Sequence, residues 1–186
     1  MCGLPTNRGA SRVYFNSHKI PVLGFIGYSG SGKTTLMEQV VLLLHGRGMR
    51  VGALKHDAHR FEVDKPGKDS WRFREAGAQT TVISSAELIV LQRRTAEETP
   101  LADLLDLFVD EDIILVEGHK AGPHPKIEVH RPELGHPFLW PVFEHVIALA
   151  TPKGLIPESS HELSLPVLDL DNAPAIAECI LTSLQR

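Results

Sequence analysis

Cysteine is nearly missing from this 186-residue chain: Cys2 and Cys179 stand at opposite ends, with no C-x-x-C pair. That argues against a disulfide framework and a cysteine-ligated metal, and is the usage expected of a cytoplasmic protein. No apolar run approaches the length that spans a bilayer, so no membrane segment is expected. The opening stretch, MCGLPTNRGASRVYFNSHK, lacks the apolar centre of a signal peptide, and residues 1–17 are expected to be a flexible lead-in. Basic residues are not in excess: the formal net charge is -4, which gives no reason to expect general nucleic-acid binding. Internal repeats and low-complexity tracts are also absent. With 42% hydrophobic and 23% charged residues, the chain suits one globular domain over residues 18–186.

What is present is concentrated in residues 20–36, IPVLGFIGYSGSGKTTL. An apolar strand pattern, Val22 to Ile26, breaks into a glycine-rich turn and then a helical pattern. Gly27, Gly32, Lys33 and Thr34 match G-x-x-x-x-G-K-[ST], the phosphate-binding P-loop, in the strand-to-helix context the motif requires. Small residues along Gly27, Ser29, Gly30, Ser31 and Gly32 let backbone N–H groups wrap a polyphosphate, and the helix that follows aims its N-terminus at the anion. Lys33 is expected on the β and γ phosphates, the Thr34 hydroxyl on Mg²⁺ and Thr35 on the α phosphate.

After this motif, Leu36, Val40, Val41 and Leu44 keep helical spacing up to Gly46 or Gly48, and Arg50 to Lys55 reads as a strand. The polar segment KHDAHRFEVDKPGKDS begins at its end, the edge where ligands bind in open parallel sheets. A helix from Asp69 or Ser70 to Gly77 precedes two short strands, Thr80–Ser84 and Leu88–Gln92, which can pair as a hairpin. Thr99 and Pro100 open a helix carrying Leu101, Leu104, Leu105 and Phe108. IILVEG, residues 113–118, reads as a buried parallel strand delivering Glu117 to the nucleotide, either holding Mg²⁺ indirectly or orienting the attacking water. Residues 119–140 hold the alternating segment KIEVHR, expected to be an extra strand or edge hairpin that pairs with another chain. VIALA, a short strand Pro166–Leu170 and a helix from Asn172 complete the pattern. Strands alternating with helices imply an α/β fold, a mostly parallel, doubly wound sheet of the P-loop NTPase type with helices on both faces.

The P-loop, Lys55-His56-Asp57, GKDSWRFREAGA and ILVEGHK, in that order over roughly residues 20–170, resemble the MobB family of GTP-binding adaptors in molybdopterin guanine dinucleotide biosynthesis. His119 stands where such sequences usually carry an aromatic residue. The resemblance implies GTP as ligand, slow hydrolysis, a homodimer built through an extended sheet, and partnership with a MobA-type guanylyltransferase and molybdopterin-bearing proteins.

The guanine signature [NT]-K-x-D of many GTPases is absent, and Thr151-Pro152-Lys153-Gly154 only echoes it. Asp169 or Asp171, near the last strand end, can accept from guanine, or can simply cap a turn. Asp57 is expected on Mg²⁺ or its water and Lys55 on phosphate or substrate charge, in preference to a transition-metal site of His56, Asp57 and His59. Lys68, Lys120, Lys126 and Arg131 are candidates for a local basic patch that receives a pterin phosphate. The competing function is a small-molecule kinase using ATP, for which a recognisable arginine-rich lid is missing. A nickel-delivery GTPase would call for the absent guanine signature and a Cys or His metal motif.

Overall fold

The computed structural model describes residues 16–56, 64–154 and 165–184. They fall into two compact units, the first within Met1–His56 and Leu101–Arg186, the second within Asp57–Pro100.

The first unit is built on a six-stranded sheet of β1 (Val22–Ile26), β2 (Val51–Lys55), β5 (Ile113–Glu117), β6 (Lys126–Val129), β7 (Val146–Thr151) and β8 (Val167–Asp169). Its order is β2-β5-β1-β6-β7-β8 and every neighbouring pair is parallel. β1 and β5 are buried along their whole length, which explains why both read as continuous apolar runs rather than alternating ones. Successive side chains point to opposite faces of a strand. Leu23 and Phe25 of β1, with Ile113 and Leu115 of β5, therefore join one core, and Val22, Ile114 and Val116 the other.

Helix α1 (Lys33–His45) presents Leu36, Met37, Val40 and Leu44 to the first core, together with Ile176 and Ile180 of α4 (Ala173–Leu184). Asn172 starts α4 by accepting the Ala175 N–H on its side-chain oxygen at 3.2 Å. Helix α3 (Leu101–Leu105) covers the other face through Leu105, which is fully buried, with Leu101, Leu104 and Phe108 beside it. Helices thus lie on both faces, as expected. Among the described residues no helix is long and apolar enough to cross a membrane.

One expectation is overturned. The alternating KIEV segment is not an edge appendage: β6 lies between β1 and β7, parallel to both, and all four residues are buried. Ile127 and Val129 enter the first core. The charges on the opposite face are satisfied internally. Lys126 Nζ donates to the carbonyls of Gly122 at 2.6 Å and His124 at 2.8 Å, and the Glu128 carboxylate accepts the N–H groups of Leu139 and Trp140 at 2.9 and 2.8 Å. A buried charge with such partners costs far less than a bare one. Lys126 consequently cannot join a surface basic patch.

The second unit contains α2 (Asp69–Glu75) and the antiparallel hairpin of β3 (Thr80–Ser84) and β4 (Ile89–Arg93). The paired strands agree with the hairpin expected from sequence, with the second strand one residue later. Arg74 and Gln79 tie α2 and β3 to β4 and its end by bonds to Gln92 and to the Arg94 carbonyl.

Candidate functional site

β1 and β5 end side by side, and their last residues set the geometry of the site. The chain leaving β1 makes the turn Gly27 to Gly32. A Cβ on Gly27 would meet the Val129 carbonyl oxygen at 2.3 Å, so backbone contact with β6 requires glycine there. Gly32, with φ 94°, takes the left-handed conformation that starts α1 at Lys33. Ser29 and Gly30 are exposed, whereas Ser31 is buried and its hydroxyl has no hydrogen-bond partner among the described residues.

Lys33 Nζ folds back to donate to the Tyr28 carbonyl at 2.8 Å. Thr34 and Thr35 are exposed on the first turn of α1. The Thr34 Oγ1 lies 3.0 and 2.9 Å from the two carboxylate oxygens of Glu117, at the end of β5. Lys55, in register with Glu117 on the neighbouring β2, brings Nζ to 3.6 Å from the same carboxylate. Burial holds the Lys33 ammonium below the usual lysine range; Glu117 opposes this shift, and Lys120 and Lys55 add to it. Three ammonium groups and one carboxylate therefore share this edge, an arrangement suited to a polyphosphate anion.

Hard oxygen donors on Thr34 and Glu117 fit Mg²⁺ rather than a soft metal. Asp57 and His59 lie outside the described residues. His56 and His119 meet with ring centroids 4.4 Å apart, and His119 adopts a left-handed φ of 47° directly after Gly118.

Thr151 and Asp169 are paired in register at the ends of β7 and β8. Asp169 Oδ1 accepts the Asp171 N–H at 3.1 Å, so part of this carboxylate shapes the turn into α4. Thr151 is buried, and its hydroxyl makes no hydrogen bond among the described residues. Asp171 is exposed. Lys68 belongs to the second unit.

Sequence reasoning missed the surroundings of Tyr28. The His136 imidazole stacks on this P-loop ring at 4.2 Å, and Lys120 Nζ lies 5.0 Å from the ring centroid. Tyr28 sits at a variable motif position and His136 in a proline-rich loop, so no local pattern marked either.

A family model described as "MobB: Molybdopterin guanine dinucleotide synthesis protein B" matches residues 22–152. The chain belongs to the MobB family. Among MobB relatives, it is 40% identical over 171 residues to the Haemophilus influenzae molybdopterin-guanine dinucleotide biosynthesis adapter protein, covering 91% of this chain and 92% of that one. It is 37% identical to the Escherichia coli protein of the same name, with 90% and 95% covered. The solved structure of Bacillus subtilis MobB superposes with a TM-score of 0.69 at 28% identity, covering 88% of this chain and 97% of the other. MobB proteins share the P-loop fold, a fold that in general binds a nucleotide with Mg²⁺.

Proposed function

We propose that this chain is the nucleotide-binding adapter of molybdopterin guanine dinucleotide biosynthesis, the role in the names of its relatives. The observation that carries the nucleotide part is the meeting of Thr34 with Glu117 at the mouth of the P-loop. The ligand is GTP, wrapped by the N–H groups from Ser29 to Thr35, with Lys33 exchanging the Tyr28 carbonyl for phosphate oxygens. Thr34 and Glu117 would hold Mg²⁺, which neutralises phosphate charge when bound; Asp57, also expected on the metal from sequence, lies outside the described residues. Glu117 also orients the water in slow hydrolysis, and Lys55 adds positive charge beside the phosphates. Asp169, with the neighbouring Thr151 hydroxyl, reads the guanine edge.

As an adapter the chain acts in the cytoplasm, as a homodimer, on a MobA-type guanylyltransferase and on molybdopterin-bearing proteins. Neither nucleic acid nor a membrane is a partner. The dimer contact assigned from sequence to residues 119–140 moves to the β3–β4 hairpin. Val82, Ile83, Ile89 and Leu91 are exposed there on a sheet of two strands, and such a sheet is marginal by itself.

Calorimetry of GTP against ATP with Mg²⁺, on the wild type and Lys33→Ala, tests this reading. GTP preference, weakened about 100-fold by the substitution, is expected if Lys33 makes two charge-assisted phosphate contacts. ATP preference, with turnover that depends on an added acceptor, would replace the adapter by a small-molecule kinase.

A further inference from the structure

The segment that follows β6 turns back onto the P-loop and touches it twice. Arg131 donates Nε–H to the Ser31 carbonyl at 3.2 Å, and its guanidinium covers Gly32: a Cβ there would lie 3.6 Å from both Nε and Nη2. After the 3₁₀ turn Pro132–Leu134, Gly135 takes a left-handed φ of 65° and His136 reaches the Tyr28 ring. The far end of the segment is held by the buried Glu128, through the Leu139 and Trp140 N–H groups.

The contact at Ser31 has a directional consequence. The Ser31 carbonyl and the Gly32 N–H belong to one planar trans peptide, so they point in opposite directions. A cation holding the carbonyl keeps the Gly32 N–H on the opposite side of the peptide, away from the guanidinium, and polarising the carbonyl makes that N–H a stronger donor. This peptide joins a serine to a glycine in a glycine-rich turn, where backbone freedom is greatest and orientation costs most entropy.

We propose that Arg131 is a positioning residue that braces the phosphate loop from the segment after β6 and aims the Gly32 N–H at the nucleotide phosphates. Arg131 acts through the Ser31 peptide and does not touch the ligand. The inference rests on the nucleotide-binding reading above.

The test is calorimetry of Mg²⁺–GTP and inorganic tripolyphosphate at two ionic strengths, on wild type, Arg131→Ala, Arg131→Lys, Glu133→Gln and Lys33→Ala, with melting temperatures taken without ligand. Arg131→Ala is expected to weaken GTP and tripolyphosphate alike, by about tenfold, the scale of one charge-assisted hydrogen bond. Its unligated melting temperature and the salt dependence of its binding should match the wild type, because no ion pair with ligand is lost. Arg131→Lys should not restore binding, since an ammonium lacks the planar Nε donor. Glu133→Gln, which removes only the exposed negative charge beside Arg131 Nη1, should bind like wild type.

Arg131→Ala binding within twofold of wild type overturns the brace. So does full rescue by lysine with a changed salt dependence, which would make Arg131 a direct phosphate ligand. A fall in unligated melting temperature that accounts for the affinity loss would leave it a merely structural residue and also overturns the proposal. Lys33→Ala separates the two readings: if it loses ligand while Arg131→Ala does not, only the brace fails, and if the wild type binds neither probe, both fail.

Discussion

Thr34 and Glu117, 83 residues apart in the chain, meet so that one hydroxyl oxygen lies 3.0 and 2.9 Å from the two carboxylate oxygens. Parallel pairing of β1 with β5 brings the two strand ends together, and the P-loop turn then carries α1 back over them. Among the described residues, the hydroxyl and the carboxylate are oxygen donors at the place where a nucleotide-bound Mg²⁺ is proposed.

Glu117→Gln should therefore weaken Mg²⁺-dependent GTP binding by about tenfold while leaving metal-free binding unchanged or tighter, since a negative charge leaves the phosphate site. Titrations with Mg²⁺ and with a chelator check this. Identical metal dependence in wild type and variant would assign the metal elsewhere.

Acid should destabilise the fold through His124. Burial, followed by Lys126, His119 and His145, pushes its pKa from 6.5 down to about 3. Between those values the unfolded chain binds a proton that the folded chain does not, so stability falls as pH drops through this window and is fully present above it. Glu128, whose pKa is raised by burial, works with the opposite sign, so the useful quantity is a difference. The wild type should lose on the order of 3 kcal/mol more than His124→Gln between pH 7 and pH 4. Denaturant unfolding at both pH values measures it, and equal losses would sink the assignment. At the alkaline end Lys126, lowered to about 8, adds stability as pH rises from there toward 10.5.

The hairpin offers a test of assembly. Val82 pairs with Leu91 across β3 and β4, and their side chains are 57% and 50% exposed, more than a monomer would leave apolar on so small a sheet. Wild-type protein is expected at dimer mass by light scattering, and Val82→Lys with Leu91→Lys at monomer mass with unchanged circular dichroism. A monomeric wild type would remove the homodimer from the proposed function.

Several of these relationships were legible in the chain before any coordinates. The P-loop was, because its residues are contiguous and each type answers a local demand for close backbone approach, phosphate charge or a metal oxygen. β1 and β5 were, because a strand buried on both faces usually reads as a continuous apolar run. The hairpin was also visible, since both strands and the turn between them lie within residues 80–93. β6 was not: Lys126 and Glu128 alternate with apolar residues as an exposed edge would, and their partners come from carbonyls and N–H groups that fall beside them only when the flanking loops close.

The sequence by itself determined the parallel α/β class, the phosphate loop and the strand that carries Glu117, since these depend on periodicity and on contiguous residue types. Tertiary structure alone decided that β6 is internal, that Thr34 reaches Glu117, and that Arg131 holds Ser31 from 100 residues away. Each of those depends on which strands become neighbours and on which distant backbone groups satisfy a buried or half-buried charge, and neither leaves a periodic trace in the chain.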